Sequence, residues 1–303
     1  MSTFAEELRD YALSQGADLF GIAKASDLDE YFTPPHRAKD LLPDVQSLVV
    51  MALHIPDGAL EAQKNNITNY SYNMFGYTYL NRELDFVSYK VTKFLEKHYY
   101  QALPIPGRGS HYWEKKPGYG PFSFRHAAVA AGLGQFGWSG LVLTPEYGPR
   151  QRFIAILTDA ELPPTPPLEK NPCTKCFQCI KNCPAGAITN KPWEKTIGGR
   201  PVTYGVVRTD LCSWVAKGMT TKAWPDAPFN PNVDVEKPET LTKDEHFKCL
   251  WEKRDARLRC SEHDEGNYGA TLCGRCMIFC TAGDKAMKSR LAKRQNTTQD
   301  TQE

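Results

Sequence analysis

The sequence predicts an α/β (α+β) chain, in which a domain of alternating strands and helices is followed by a smaller module organised by cysteines. Three observations predict it. Short apolar runs alternate with segments of helical period through the first half of the chain, a proline-dense stretch follows, and two tight cysteine runs occupy the last 131 residues from Cys173 onward. A length of 303 residues with 41% hydrophobic content is enough to bury a substantial core in two domains or one large one.

The elements follow in order. Ser2 or Thr3 is placed to cap a helix carrying Phe4, Leu8, Tyr11 and Leu13 and ending at Gly16. A short strand over Ala17–Ala23 comes next, and the apolar run Ser47–Leu53 reads as a strand covered on both faces, hence central in a sheet. From Tyr77 to His98, Leu80, Leu84, Val87, Val91, Phe94 and Leu95 recur at three- and four-residue intervals, the period of an amphipathic helix. Arg125–Ala131 reads as a helix closed by Gly132, and Gly140–Thr144 and Arg152–Thr158 as strands, giving an α/β pattern of mixed strand order. Five prolines between Glu161 and Pro172 keep that stretch extended and mark a boundary. The expected organisation is residues 1–162, then a cysteine module over 163–290 with a polar insertion after Trp214, then a disordered polar tail over 291–303.

The cysteines carry the chemistry. Cys173-x2-Cys176-x2-Cys179-x3-Cys183-Pro184 is the spacing with which bacterial ferredoxins hold one 4Fe-4S cluster by three thiolates and pass the fourth to a second cluster. A zinc site or a redox dithiol needs pairs and leaves no task for the crossover thiolate. Cys273-x2-Cys276-x3-Cys280 is the second run, with Thr281 where proline often stands. Crossover logic groups Cys173, Cys176 and Cys179 with Cys280, and Cys183 with Cys273 and Cys276. The eighth ligand is sought among Cys212, Cys249 and Cys260, with Cys212 favoured because it follows a β-like stretch.

Composition narrows the partners. Thiols that must stay reduced for cluster assembly point to a reducing, cytoplasmic compartment, and the N-terminal residues show neither an export signal nor a twin-arginine pair. No run of about eighteen apolar residues occurs, so no membrane span is expected. A formal charge of +2 gives no general electrostatic drive toward nucleic acid.

Between helix and strands, Gly132, Gly134, Gly137 and Gly140 crowd one segment; they permit close backbone approach or positive φ, or simply tight packing. A dinucleotide loop is disfavoured because these glycines follow a helix instead of preceding one. Ala131-Gly-Leu-Gly134, the turn Thr144-Pro-Glu-Tyr-Gly-Pro-Arg150, the strand end Thr158-Asp159 and the first cysteine run together resemble epoxyqueuosine reductases and reductive dehalogenases. Tyr77-Thr-Tyr79 before the long helix resembles a tyrosine-bearing stretch of the same families.

The resemblance implies a nitroreductase-like cobalamin-binding domain followed by a ferredoxin-like domain with two 4Fe-4S clusters. It implies base-off cobalamin between them, with Arg125, Gly132, Gly134, Gly137, Ser139, Thr144, Gly148 and Arg150 as candidate contacts. Reductive cleavage needs a proton donor, and Tyr79, Tyr77 and Tyr119 are the candidates, in that order. Arg125 and His126 are placed to orient an anionic substrate or tune such a phenol, Arg152 to join Arg150 on corrin groups, and Trp113, Trp138 and Trp214 to wall a pocket; charge on a helix face, turn solvation and core packing are the plainer readings.

The chain departs from the family pattern at two places. The acidic residue that epoxyqueuosine reductases use falls near Gly118, within Pro117–Pro121, where no carboxylate stands, and the lysine after the glycines is replaced within Gly137–Gly140. No helical-repeat extension is expected after Cys280. The leading expectation is a cobalamin-dependent reductase cleaving a carbon-halogen or carbon-oxygen bond of a small molecule, fed by a ferredoxin- or flavodoxin-type donor. An epoxyqueuosine reductase acting on tRNA is disfavoured by the missing carboxylate, and an electron-transfer or corrinoid-activating protein is the third reading.

Overall fold

The computed structural model describes residues 2–29, 31–107, 122–216, 218–227, 232, 234, 236, 272–284 and 287–288. Tyr119, Trp113, Cys249, Cys260, the Pro117–Pro121 segment and the expected tail lie outside these residues.

The first helix, α1 (Phe4–Ser14), starts where the sequence signals: the Thr3 Oγ1 accepts from the Glu6 amide at 3.3 Å while the Glu6 carboxylate accepts from the Thr3 amide at 2.7 Å. Strand β1 (Leu19–Lys24) leads through the one-turn helices α2 (Ser26–Asp29) and α3 (Ala38–Leu41) to β2 (Ser47–His54). Helices α4 (Asp57–Lys64) and α5 (Tyr70–Asn73) then enter a π-helical turn, Met74–Thr78, that runs straight into α6 (Tyr79–Lys97). Strand β3 (Ala102–Ile105), α7 (Phe124–Ala130), the two-residue strands β4 (Gln135–Phe136) and β5 (Val142–Leu143), and β6 (Gln151–Thr158) complete this part.

The sheet order is β1-β2-β6-β3 and every neighbouring pair is antiparallel. The mixed order expected from the sequence is corrected here, for a topological reason. The chain does cross from β2 through α6 to a strand running the same way, β3, but β6 returns and inserts between them, antiparallel to both. The alternation of strand and helix was legible; the inserted partner was not. The strand expected over Gly140–Thr144 shrinks to β5, because Gly137 and Gly140 hold a tight turn in which the Gly140 amide bonds the Gly137 carbonyl at 2.9 Å.

Both faces of the sheet are covered, which explains the unbroken apolar run of β2. Leu48, Val50, Ala155 and Leu157 pack with Ala127, Ala128 and Ala131 on one side. Val49, Met51, Ile154 and Ile156 pack on the other side with Leu8 and Ala12 of α1 and Leu84, Val87, Val91 and Leu95 of α6. The proline-dense stretch is not a free linker: the Thr165 amide donates to the Ile22 carbonyl and the Ile22 amide to the Thr165 hydroxyl, each at 2.9 Å.

The cysteine module contains α8 (Gln178–Lys181), the hairpin β7 (Ile188–Ile197) and β8 (Arg200–Val207), α9 (Thr209–Ala216) and α10 (Arg275–Ile278). Gly198 and Gly199, at φ 52° and 73°, make the hairpin turn, since a two-residue turn of this hand needs positive φ at both positions. A third apolar cluster joins Ile55, Leu60 and Tyr72 to Val215, Trp224, Leu272, Met277 and Ile278 and fastens the module to the sheet domain. Among the described residues no helix is long and apolar enough to cross a membrane.

Candidate thiolate centres

The two cysteine runs are built alike. In the first, Phe177 takes a left-handed φ of 55° and is followed by the single turn α8 bearing Cys179; in the second, Gly274 at φ 57° is followed by α10 bearing Cys276. Cys176 therefore corresponds to Cys273, Cys179 to Cys276 and Cys183 to Cys280. Phe177 shows that a side chain can adopt this conformation, and what favours glycine at position 274 is space, since a Cβ there would lie 3.0 Å from the Tyr72 hydroxyl.

Electrostatic contact between thiols shows which cysteines meet. Burial pushes the Cys179 thiol up to about 11, and Cys173, Cys280 and Cys176 add to the rise. Burial likewise raises Cys280, with Cys173 and Cys176 contributing. Cys273 is pushed up to about 12 by burial, then by Cys212 and Cys183, and burial raises Cys276 well above its ordinary value, with Cys273, Cys212, Cys183 and, last, Cys179 of the first group adding. Two interleaved tetrads result, Cys173/Cys176/Cys179/Cys280 and Cys183/Cys212/Cys273/Cys276. Cys212 keeps an exposed flank, yet enough protein surrounds its sulfur that desolvation raises the thiol; Cys183 adds to this and Arg125 opposes it.

The surroundings suit thiolates that share positive charge. Backbone amides of Trp138 and Ala187 donate to Cys173 at 3.4 Å and to Cys183 at 3.3 Å. Burial would raise Cys176, but the Thr281 hydroxyl 3.5 Å away, the Gln178 amide and the Thr174 hydroxyl hold it below its ordinary value. Thr281 in the proline position thus ties the second run to the first. Cys173, Cys176, Cys179 and Cys280 line a small cavity of about 20 Å³ together with Gly137, Trp138, Ser139, Leu143, Phe177 and Gln178. Among the described residues no three His, Cys, Asp or Glu side chains converge on a single-ion position. A cluster gripped at its corners fits the donor set, because four thiols buried together ionise only where a cation compensates them.

The residues expected to contact a corrin are engaged by protein. Added Cβ atoms would strike Pro166 at Gly132, the Leu143 carbonyl at Gly134, the Leu143 side chain at Gly137 and Gly283 at Gly148. Arg125 donates to the Gly140 carbonyl at 2.7 Å, and the buried Thr144 hydroxyl accepts from the Tyr147 amide at 3.1 Å. Arg150, a candidate for corrin groups with turn solvation as the plainer reading, is fully buried: it donates to Asp284 at 2.5 Å, to the Ile278 carbonyl at 3.3 Å and to the Met287 sulfur at 3.0 Å. Internal packing meets the need for small or charged residues at these positions, while Ser139 lines the cavity beside the first cysteine group.

Of the tyrosines, Tyr79 is 41% exposed and leans on Phe75. Tyr77, in the π turn, lies under Arg152, whose guanidinium is 3.7 Å from the ring centre and donates to the Gly76 carbonyl at 3.1 Å. Sequence reasoning passed over Tyr72, whose phenol is pushed up to about 12 by burial, with Arg152 opposing and Cys276, Tyr77 and Cys273 adding. Tyr72, Tyr77 and Arg152 therefore adjoin the second tetrad. Its signal was the five-residue spacing of Tyr72 and Tyr77, one π-helical repeat. Trp224, Arg275 and Asp284 were also missed; Trp224 Nε1 donates to the Cys273 carbonyl at 2.8 Å.

An α+β sandwich carrying paired cysteine tetrads on a docked module defines the class. The chain is 35% identical over 114 residues to a tetrachloroethene reductive dehalogenase of Desulfitobacterium hafniense, covering 37% of this chain and 18% of that protein. It is 26% identical over 212 residues to the epoxyqueuosine reductase of Bacillus subtilis (strain 168), covering 61% of this chain and 51% of that protein. Its fold is similar, with a TM-score of 0.52 and 18% identity over 93% of this chain and 36% of the other, to a reductive dehalogenase whose structure suggests a mechanism for B12-dependent dehalogenation. No family model matches the chain. The chain is thus similar both to reductive dehalogenases and to epoxyqueuosine reductases, and it spans about half or less of the length of these curated relatives.

Proposed function

We propose that the protein is an iron-sulfur and corrinoid-dependent reductase that cleaves a carbon-halogen or carbon-oxygen bond of a small organic molecule. The observation that carries the reading is the sorting of eight cysteines into two interleaved tetrads of four. Cys173, Cys176, Cys179 and Cys280 would hold one 4Fe-4S cluster, and Cys183, Cys212, Cys273 and Cys276 the other. Bound clusters supply one-electron steps whose potential follows burial and hydrogen bonds to sulfur. Cleavage of R–X to R–H and X⁻ consumes two electrons and one proton.

Tyr77 is the residue of choice for the proton, since it lies close to Tyr72, which adjoins the second tetrad, with the Arg152 guanidinium 3.7 Å from its ring centre. Tyr72 stays protonated in its buried place. The corrinoid enters from the likeness to a B12-dependent dehalogenation enzyme. Because the glycines and Arg150 are closed by protein contacts, no residue of this chain is named as its ligand.

Anaerobic reconstitution tests the reading: about eight irons and eight sulfides per chain are expected, with one corrinoid retained. Zinc, or four irons, would overturn it. Tyr77→Phe keeps the iron content and slows turnover roughly a hundredfold, whereas Tyr79→Phe changes little. Equal turnover in both variants removes Tyr77 from the role.

The second reading is tRNA modification, favoured by the wider alignment with the epoxyqueuosine reductase, 61% of this chain against 37% for the dehalogenase. Restored queuosine in a strain lacking that reductase would select it.

A further inference from the structure

Beside the second tetrad lies a cleft of about 320 Å³ that includes Cys183 in its lining, together with Lys181, Lys222, Arg275, Asn66 and Asp226. Three cations face one carboxylate there, on a chain whose whole formal charge is only +2. Arg275 is fixed in place. Its guanidinium lies 4.8 Å from the ring centres of Trp224 and Phe279, and its Nε donates to the carbonyl of Asn182, the residue before Cys183, at 3.1 Å. Lys181 and Lys222 are exposed. Directly after Asn66 the chain exposes Ile67 and then Tyr70, at 67% and 63%.

We propose that this cleft is the docking site of an acidic electron-donor protein and the entry port for electrons into the second tetrad. The proposal rests on the assignment of that tetrad to a cluster. An acidic protein carries a convex face of carboxylates that pairs with clustered cations, and such complementarity governs encounter rate. The adjoining apolar side chains suit a protein surface better than a phosphate backbone, which is tracked by a longer basic stripe. In the step itself, the donor's flavin hydroquinone gives up one electron and becomes semiquinone, while the oxidised cluster gains that electron; no bond forms or breaks.

The test uses a flavodoxin and the double variant Lys181→Glu/Lys222→Glu of the full chain. Expected in low salt is at least a tenfold slower reduction of the protein by flavodoxin hydroquinone, with the gap closing as salt rises and with dithionite reducing both proteins alike. Carbodiimide is expected to cross-link oxidised flavodoxin to Lys181 or Lys222. Equal rates from flavodoxin at low salt, or cross-links confined to other lysines, overturn the proposal. Loss of tRNA binding in the variant with flavodoxin reduction unchanged overturns it in favour of RNA. A chain that binds no iron refutes the cluster assignment instead; the docking claim is then judged by cross-linking and by flavodoxin affinity, each of which needs no cluster.

Discussion

The sheet domain and the cysteine module are held together by different forces. Strand β2 is buried from Ser47 to Leu53, and each face of the sheet has its own apolar cluster, so that half of the protein is stabilised by removing apolar surface from water. In the module, six of the ten residues of β7 are exposed, and the helices that present Cys179 and Cys276 are four residues long. A single turn cannot offset its own nucleation cost. The difference teaches that one half is stabilised by burial while the other, on the proposed cluster assignment, depends on ligation, with the Ile55–Trp224 cluster and the Arg150–Asp284 pair as the joint between them.

The sharpest way to break that comparison is to remove the metal. Cys276→Ala is expected to lower iron by about half and to unprotect the amides of α10, while β2 and β6 keep their hydrogen-exchange protection; full removal of iron should unprotect α8 as well. Uniform protection, or uniform loss, would erase the distinction. Next in size is the joint. Asp284→Ala strands a fully buried guanidinium and should cost about 3 kcal/mol in denaturant unfolding, of which the Arg150→Met/Asp284→Ala pair recovers a part.

Within the sheet domain, His126 gives a pH signature. Its Nδ1 lies 2.6 Å from the Ser123 hydroxyl, among Tyr31, Phe32 and Phe136, and burial, with help from Arg125, depresses it to about 3. The unfolded chain takes up this proton near pH 6.5 and the folded chain near 3. The contribution is therefore fully present above about pH 6.5 and falls by about 1.4 kcal/mol per pH unit as the medium is acidified toward 3. His126→Phe should flatten that part of the stability profile; an unchanged slope would assign the acid sensitivity elsewhere. The smallest effect belongs to Thr3→Ala, which removes the α1 cap and should cost about 1 kcal/mol with iron content untouched.

Much of the sheet domain was legible because its signals are local. Ser2 or Thr3 marked the start of α1, which Thr3 caps, and the three- and four-residue apolar spacing marked α6. The hairpin of β7 and β8 was overlooked although Gly198-Gly199 announces its turn, because its flanks are too polar for an apolar alternation to stand out. The burial of Arg150 was not legible, because nothing in a turn sequence reveals that Asp284, 134 residues away, will close over it.

By itself, the sequence determined the local shape of each cysteine run, since spacing over a few residues depends only on local backbone geometry, and it favoured Cys212 as the eighth thiol, which the fold brings beside Cys183, Cys273 and Cys276. Only tertiary structure decided that β6 enters between β2 and β3, that the glycines face protein, and that Arg152 sits over Tyr77. The physical reason is range: a strand's alternation encodes which faces are buried, and a residue's type encodes its charge, but the partner across the sheet or across the site is chosen by the whole packed chain.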